Sequence, residues 1–504
     1  MIIESTDSYL ISVSLLIISM IIGLVIYMPG FWSHRRYLSA FVITIIGIST
    51  GVAIVSRFNP GIILLIILLQ AYRVFSLLRI ERELINVSAL RFRVRRSEIW
   101  LCITLSLLIF IQLVAGSYLY LSVWANLMVV LELVFSAIFL LHIRNSLKST
   151  KIDLPPKFIA DKDLPSITIA VPARNETTDL TDCLQSILAN NYPKMEVLVL
   201  DDCSQDSTSD IIRSFAHRGV RFISGKIPPE NWLAKNWAYK QLADEADGKY
   251  IIFCGVDVRF ETDSIRKIIE LAIQNELSMM SVLPIRNQTS SFSEVIQPMR
   301  YWRELAIPKM PGNFPPALST VWVANKKFLS KNGGFEAYKQ SVRPEKHFAK
   351  RANTHGVYRF YSSISGLGIF SVKSYKAQLN TALRTRYPEH HKRPEEIFYI
   401  SVWFMVVFIM PMPIFVLSIY MGWGFVAFVA LLSVIILLYT HFLVEQLTGT
   451  QKIYKKMIMF PLTVFAEISL INYSMWAYEF SEIIWKGRNI CLPVLRAIPR
   501  LPRV

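Results

Sequence analysis

The sequence predicts an α/β domain with a mostly parallel sheet, inserted between two groups of membrane-spanning helices. Of the 504 residues, 53% are hydrophobic and the mean hydropathy is +0.39, which is more than one soluble core requires. The hydrophobic residues form long uncharged runs towards both ends of the chain, whereas the middle alternates short strand-like and helix-like patterns. Polar residues collect where the strand-like runs end.

Residues 1–143 predict about five membrane-spanning helices. Tyr9–Met28 and Tyr37–Ser56 each hold 20 residues without a charge, enough to cross about 30 Å of hydrocarbon. Pro60–Leu78 predicts a third span, and Ile99–Ile143 is long enough for two more.

The C-terminal hydrophobic region, residues 395–485, predicts two to three membrane segments. Ile397–Val444 contains no Asp, Glu, Lys or Arg and predicts two crossings with a break near Met421–Gly424. Met457–Trp485 carries acids and a proline, and predicts a re-entrant or interfacial segment. A basic tail, 486–504, follows.

Basic residues orient these segments, because Lys and Arg collect in cytoplasmic loops. The loops at 34–36, 79–96 and 144–162 are all basic and lie on one side if the N-terminus is outside. We therefore expect a multi-pass plasma-membrane protein with a cytoplasmic linker at 144–165 and a cytoplasmic domain at 166–394. Basic residues facing anionic lipid account for much of the +17 charge, and no pattern predicts nucleic-acid binding.

Four short runs in the polar middle predict buried strands: Ile167–Val171, Glu196–Leu200, Val220–Ser224 and Tyr250–Cys254. Helical stripes lie between them, such as the apolar positions spaced i, i+3, i+4 within Leu180–Leu188. This rhythm predicts a parallel sheet with helices on both faces, and ligands bind such sheets beyond the carboxyl ends of the strands.

Three of the four predicted strand ends carry acids. They are VPARNE at Val171–Glu176, DDCSQDST at Asp201–Thr208, and Asp257 after the fourth strand. Carboxylates that converge on one edge repel each other, so their joint presence predicts a cation or cationic groups between them. The alternative for Glu176, Asp206 and Ser207 is that they cap the next helix.

These motifs resemble those of family 2 glycosyltransferases, whose GT-A domain carries PxxNE, DDxSxDxT and DxD in this order. The match reads PARNE, DDCSQDST and GVD, and covers about Ser166–Pro388. The segment WLAKNWA, Trp232–Ala238, resembles the branch that glycosylates membrane lipids such as carotenoids and hopanoids. The resemblance implies a Rossmann-like GT-A fold, a nucleotide-sugar donor and a membrane lipid or glycan acceptor.

The resemblance also implies roles for individual residues. Asp201 and Asp202 would hold the base and ribose, since a diol calls for carboxylate acceptors, and Lys235 would approach the phosphates. Lys235 could equally be a solvated surface lysine. The residues expected to line the nucleotide are Pro172, Ala173, Asn175 and Glu176.

Asp257 stands at the second acid of the family's DxD, and Gly255 replaces the first. The resemblance implies a divalent cation, Mg²⁺ or Mn²⁺, bound by Asp257 and the donor diphosphate. With one protein carboxylate, the metal would take its other ligands from phosphate oxygens and water. The alternative is that Asp257 merely ends the strand.

The family's catalytic base is an Asp within an ED pair that follows GGF, and here Pro344 and Glu345 occupy those positions. Glu345 is therefore the expected base, and His347 is the second candidate. The alternative is that Glu345 pairs with Arg343, Lys346 or Lys350 on a solvated helix.

The family's QxxRW, which holds the acceptor end of the site, has no equivalent at its expected place. QPMRYW, Gln297–Trp302, comes before GGF, whereas TALRTRYP, Thr381–Pro388, follows it with different letters. Arg384, Arg386 and Tyr387 are expected to hold diphosphate or acceptor, or to form a basic patch at the membrane surface.

The expected reaction is a single displacement with inversion at the anomeric carbon. Two alternatives stay open. A catalytically degenerate GT-A protein that binds nucleotide or a partner is favoured by Gly255 and Pro344, and a processive polysaccharide synthase would share the same domain. A transporter would need more charged residues within the spans.

Overall fold

A computed structural model describes residues 41–42, 44–48, 121–150, 156–287, 293–296, 298–308, 314–390, 392–449, 453–480, 483–486 and 488–489. The predicted spans Tyr9–Met28 and Pro60–Leu78 lie outside the described residues. The same holds for most of Tyr37–Ser56, for the basic loops at 34–36 and 79–96, and for most of the basic tail.

The chain divides into two compact units. The first comprises residues 1–128, 393–399 and 493–504, and its described part is helical at 41–42 and 44–48 and holds the first turns of two longer helices. The second comprises residues 129–392 and 400–492, and contains the sheets and the site described below.

A seven-stranded sheet forms the centre of the second unit, in the order β3-β2-β1-β4-β8-β6-β9. All neighbours are parallel except β8, which runs antiparallel to β4 and β6. The predicted α/β class with a mostly parallel sheet is confirmed, and the four predicted strands are β1 to β4. The strands are β1 Ile167–Ala173, β2 Met195–Asp201, β3 Val220–Ser224, β4 Tyr250–Cys254, β6 Met279–Leu283, β8 Val321–Asn325 and β9 Tyr358–Ser362.

A second sheet of three short strands adjoins the end of β4. It consists of β5 Val258–Phe260, β7 Ile285–Asn287 and β10 Ile369–Val372. The central strand β10 is antiparallel to β5 and parallel to β7. This sheet brings the residues that follow β4 next to those that follow β10.

Helices pack on both faces of the main sheet because one stripe of each is apolar. Ile265, Ile268, Ile269 and Ala272 are buried on one helix, at the predicted spacing. The described helices are α1 Leu121–Thr150, α2 Thr178–Leu188, α3 Thr208–Ser214, α4 Ala234–Glu245, α5 Ser264–Gln274, α6 Ser293–Ile296, α7 Pro298–Leu305, α8 Lys326–Lys331, α9 Pro344–Thr354, α10 Tyr375–Glu389, α11 Pro394–Phe404, α12 Pro411–Tyr420, α13 Gly424–Leu447, α14 Ile453–Ile458 and α15 Phe460–Phe480.

Two described helices are long and apolar enough to cross a membrane: Ala125–Lys148 within α1, and Gly424–Leu447, which is α13. A third span is possible by length if Glu396–Ile409 and Pro411–Tyr420, which meet at a 48° bend, act as one. The chain turns between α12 and α13 at residues 421–423, where the sequence predicts a break. Helix α15 does not meet the same test of hydropathy and charge.

Candidate active site

A cavity of about 300 Å³ lies beyond the carboxyl ends of β1 and β4. Strand β4 pairs with β1 only as far as Ala170, so the two strands separate where the cavity begins. Pro172 fits this part of β1, because no β4 carbonyl needs its missing N–H. The predicted site residues that line the cavity are Pro172, Ala173, Glu176, Asp202, Lys235, Asp257 and Arg384.

Two acidic loops interlock at the edge of the sheet. The Asp202 amide donates to the Ala173 carbonyl at 2.8 Å, which extends the β1–β2 pairing by one residue. The Asn175 amide donates to Ser204 Oγ at 2.9 Å, and the Glu176 amide donates to Thr208 Oγ1 at 2.8 Å. These bonds hold the PARNE and DDCSQDST motifs together, as their positions at adjacent strand ends predict.

Asp201 and Asp202 have different surroundings although they are neighbours. The Asp201 carboxylate accepts from the Ser204 amide at 3.0 Å and from Ser209 Oγ, so both its oxygens shape the loop. Asp201 is not among the residues that line the cavity, whereas Asp202 is. Asp202 therefore stays the candidate for the predicted nucleotide contact, whereas Asp201 holds the loop that presents Asp202 to the cavity.

Lys486 lies against the PARNE loop. Its Nζ contacts Glu176 Oε1 and donates to the Arg174 carbonyl at 2.7 Å, while its own carbonyl accepts from Asn175 Nδ2 at 3.2 Å. Burial raises the pKa of Glu176, and the bond with Lys486 opposes that rise. Asn175 does not line the cavity and instead connects the loop to Lys486. No motif marks Lys486, because it lies in the basic tail, more than 300 positions from its partners.

Asp257 lines the cavity between β4 and β5. Its carbonyl accepts from the Val372 amide at 2.8 Å, which joins it to β10, and Ser371 Oγ lies 3.4 Å from its Oδ2. Its side chain folds back over Gly255, where a Cβ would lie 2.5 Å from Asp257 Oδ1. Glycine at 255 therefore leaves room for this carboxylate.

The donor atoms near Asp257 do not fit a divalent cation held by the protein. Within the described part of the chain, no three His, Cys, Asp or Glu side chains are grouped closely enough to share a metal ion. Asp257 supplies one carboxylate, and Glu176 is paired with Lys486. Four basic side chains line the same cavity besides Lys486 and Arg174. We therefore derive no reaction step through a metal.

Asn236 explains why Lys235 faces the cavity. The buried Asn236 Nδ2 donates to the carbonyls of Tyr338, Lys339 and Ser341 at 2.7 to 3.1 Å, which fixes the start of α4. Lys235 is half-buried, and its Nζ lies 5.1 Å from the Tyr239 ring centroid. The WLAKNWA motif thus places Lys235 at the cavity, and the residue after it, Asn236, anchors the start of α4.

The three predicted residues of α10 separate into two groups. Arg384 lines the cavity, but Arg386 Nη2 lies 2.9 Å from Glu467 Oε2 on α15, and the Tyr387 amide donates to Ser474 Oγ at 3.1 Å. Residues two positions apart on a helix point about 200° apart. The predicted contact of Arg386 and Tyr387 with diphosphate or acceptor is corrected accordingly: both are buried and tie α10 to α15.

Two further basic residues line the cavity, Arg300 and Lys373. Arg300 belongs to the QPMRYW segment on α7, which could have identified it although it precedes GGF. No sequence motif marks Lys373, which follows β10 of the short sheet. Ser374 caps α10 by accepting from the Ala377 amide at 3.3 Å, so Lys373 stands just outside the helix.

Glu345 is fully buried at the start of α9 and is not among the cavity-lining residues. Its Oε1 lies 3.4 Å from Arg343 Nε, and its Oε2 has no hydrogen-bond partner among the described residues. His347 also lies away from the cavity, 3.1 Å from Ser341 Oγ. An acceptor in the cavity does not reach Glu345 in this conformation, and a solvated surface pair is excluded by its burial.

With this geometry in place, comparison with known proteins identifies the domain. Residues 168–333 match the family model described as Glycosyl transferase family 2. By this match, which covers about a third of the chain, residues 168–333 are similar to family 2 glycosyltransferase domains, as the motifs predict, and they form part of the mostly parallel α/β sheet.

Two curated relatives match about a quarter of the chain or less. The chain is 24% identical over 110 residues to TuaG of Bacillus subtilis, which is named as a teichuronic acid biosynthesis glycosyltransferase. The aligned residues make up 22% of this chain and 43% of TuaG. The chain is 31% identical over 121 residues to 4,4'-diaponeurosporenoate glycosyltransferase of Staphylococcus aureus, which is 24% of this chain and 32% of the relative. The chain thus spans less than half the length of these relatives.

Among solved structures, the mannosyltransferase PcManGT from Pyrobaculum calidifontis, in complex with GDP-Man and Mn²⁺, is 12% identical. It covers 70% of this chain and 98% of its own, with a TM-score of 0.41. TarS residues 1–349 of S. aureus, in complex with UDP, is 14% identical, with a TM-score of 0.30 over 64% of this chain and 95% of its own.

Proposed function

We propose that this chain is a glycosyltransferase that moves a sugar from a nucleotide-sugar donor to a membrane lipid or glycan. The family 2 match over residues 168–333 supports the class. The observation that carries the proposal is one cavity that joins an acid suited to a ribose, Asp202, with cations suited to a diphosphate, Lys235 and Arg384.

In this proposal the nucleoside lies against Pro172, Ala173 and Asp202, and the diphosphate lies towards Lys235 and Arg384. The acceptor oxygen attacks the anomeric carbon as the bond to the diphosphate oxygen breaks, so the configuration inverts. The bond electrons leave with the diphosphate, and nearby cations stabilise the charge that develops there. Asp257 faces the same cavity and orients Lys373 or the sugar.

Glu345 remains the proposed base, and its burial sets a condition. To accept the proton of the acceptor hydroxyl, its free Oε2 must become reachable from the cavity as the acceptor binds. We expect Glu345→Gln to lower kcat at least about 100-fold and to remove the acidic limb of the pH–rate profile. A variant that loses thermal stability but keeps kcat and the limb would assign Glu345 a purely structural role.

The two apolar helices α1 and α13 support membrane embedding. We propose that the catalytic domain faces the cytoplasm of a multi-pass plasma-membrane protein, with the domain limits given above, because the sequence places its basic loops on that side. The sequence predicts a divalent cation bound by Asp257 and the donor diphosphate, whereas the four basic side chains of the cavity favour a diphosphate held without one.

The function is tested by incubating membranes that contain the full chain with a panel of nucleotide sugars, followed by lipid extraction and mass spectrometry. A lipid whose mass increases by one hexose supports the proposal if the Asp202→Ala variant does not produce this increase. Glycan that stays with the aqueous phase and lengthens with time would instead indicate a processive synthase. No transfer from any donor would contradict the proposed activity.

A degenerate, nucleotide-binding protein is the second candidate. Gly255, Pro344 and the buried Glu345 favour it. It predicts that purified chain binds UDP or GDP without transferring or hydrolysing the corresponding sugar nucleotide. Calorimetry of UDP and GDP binding beside a radiolabelled transfer assay distinguishes the two candidates.

A further inference from the structure

We propose that Lys235, Arg300, Lys373 and Arg384 form a cation cradle that binds the donor diphosphate and neutralises it without a metal ion. This inference rests on the proposed function and adds Arg300 and Lys373 to the site. We call these four residues the cation cradle.

The cation cradle is assembled from four separate places in the chain. Lys235 begins α4, Arg300 lies on α7, Lys373 follows β10 and Arg384 lies on α10, and all four line the same cavity of about 300 Å³. Four independent elements that each contribute one basic residue to one small cavity indicate a built site for an anion, because like charges repel when nothing lies between them.

Three members of the cradle lack the close acidic partners that other cations of this unit have. In the described residues, Lys235, Arg300 and Lys373 make no ion pair within 4.0 Å, whereas Arg303, Arg343 and Arg386 each pair with glutamates. Close to the cradle, the buried Arg286 Nη1 also has no hydrogen-bond partner in the described part. Lys235, Arg300 and Lys373 thus lack a close ion pair in the described residues, and the carboxylates of Asp202 and Asp257 line the same cavity at a greater distance than 4.0 Å from them.

The protonation equilibria point in the same direction. Burial lowers the pKa of Lys373 to about 8. The Asp257 carboxylate opposes this decrease, and the positive charges of Arg300, Arg384 and Arg286 add to it. Burial and a neighbouring arginine likewise lower the pKa of Arg300. A bound anion would relieve both the burial and the mutual repulsion.

The same charges act against a divalent cation. A dication at Asp257 would gain one carboxylate but would face the four cationic groups in a partly dehydrated cavity. A diphosphate diester carries about two negative charges, and the cradle matches that charge with fixed donors. The cation cradle then neutralises the diphosphate in place of the metal ion that a first acid at position 255 would help to bind.

The test measures binding of inorganic pyrophosphate, UDP and GDP to the purified full chain in detergent by calorimetry, with excess EDTA or with 5-fold-excess Mn²⁺ in roughly physiological salt. We expect the Kd values in EDTA and Mn²⁺ to agree within about threefold. Lys373→Gln should weaken pyrophosphate binding by at least about tenfold in EDTA, because one charge-assisted contact is lost.

Lys376→Gln is the matched control, since Lys376 lies three positions after Lys373, is exposed on α10 and does not line the cavity. It should leave the Kd unchanged. The cation cradle is overturned if EDTA abolishes binding and Mn²⁺ restores it, or if Lys373→Gln binds pyrophosphate as tightly as the Lys376→Gln control.

Failure of the proposed function looks different in the same experiments. Pyrophosphate binding that withstands EDTA and depends on Lys373 supports the cradle even if no nucleotide sugar is turned over. In that case the transfer assay contradicts the proposed activity, and the cradle belongs to a nucleotide-binding protein.

Discussion

Arg343 and Glu304 form a buried ion pair, with 2.6 Å between Arg343 Nη1 and Glu304 Oε1, that joins α9 to α7. Arg343 also lies 3.4 Å from carboxylates of Glu345 and Glu389, and the nearby glutamates raise its pKa despite burial. The pair therefore lies at the centre of a network that holds the wall of the cavity.

Replacing Arg343 with Met should destabilise the chain by about 3–5 kcal/mol, because up to three buried carboxylates lose their shared cation. Thermal unfolding of the purified protein in detergent measures the change. Arg351→Met is the control, since Arg351 is exposed on α9, the helix that follows Arg343, and its loss should cost under about 1 kcal/mol. Equal melting temperatures for the two variants would show that the network contributes nothing net.

Replacing Asp257 with Asn should lower sugar transfer at least about 100-fold while leaving the melting temperature within about 2 °C, because Asp257 is a cavity residue and not a core residue. The readout is glycosylated product per unit time in membranes of matched expression. Asp263→Asn serves as control, because Asp263 is exposed nearby and its side chain makes no cap bond to α5. Undiminished transfer by Asp257→Asn would remove Asp257 from the mechanism.

Replacing Gly255 with Asp should create metal binding and disturb the existing site. A Cβ at 255 would lie 2.5 Å from Asp257 Oδ1, so Asp257 must move, and two carboxylates would then face each other. We expect measurable Mn²⁺ binding by calorimetry in Gly255→Asp and weaker pyrophosphate binding in EDTA. Gly255→Ala has the same steric effect without the charge, and Mn²⁺ binding by that variant would contradict the explanation.

Donor binding should weaken as pH rises above 8. Burial lowers the pKa of Lys235 to about 8, Glu345 opposes this, and Arg384, Arg343 and Arg300 reinforce it. Lys235 is charged below that pH and neutral above it, so affinity for UDP or GDP should fall by up to about tenfold per pH unit.

Lys235→Arg keeps its charge at alkaline pH and should flatten this dependence between pH 7 and 9.5. Calorimetry at constant ionic strength gives both slopes. A slope shared by the two proteins would assign the pH dependence to another group, of which Lys373 is the nearest candidate in the same cavity.

Four of the seven strands of the main sheet were predictable from sequence, because β1 to β4 are largely apolar runs, and three of them are followed by acids. The acids at these strand ends include Asp202 and Asp257, whereas Lys235 was predicted from the family resemblance. The three-residue strands β5 and β7 are too short to show a period, so the sheet that delivers Lys373 could not be predicted.

Other parts of the site depend on long-range packing. Arg384 and Arg386 look alike in sequence, and only the direction of α10 against α15 separates their roles. The alternative interpretation of Glu345 named its neighbour Arg343 correctly. It did not predict that Glu345 is fully buried beside the ion pairs of Arg343 with Glu304 and Glu389. Lys486 reaches Glu176 from the far end of the chain, which no local pattern indicates.

The cation cradle has a consequence for turnover. Groups that stabilise the departing diphosphate also retain it afterwards, so the spent nucleotide should leave slowly and compete with fresh donor. The rate in a cell would then follow the ratio of sugar nucleotide to free nucleoside diphosphate, and an enzyme that hydrolyses the by-product would accelerate synthesis without touching this protein.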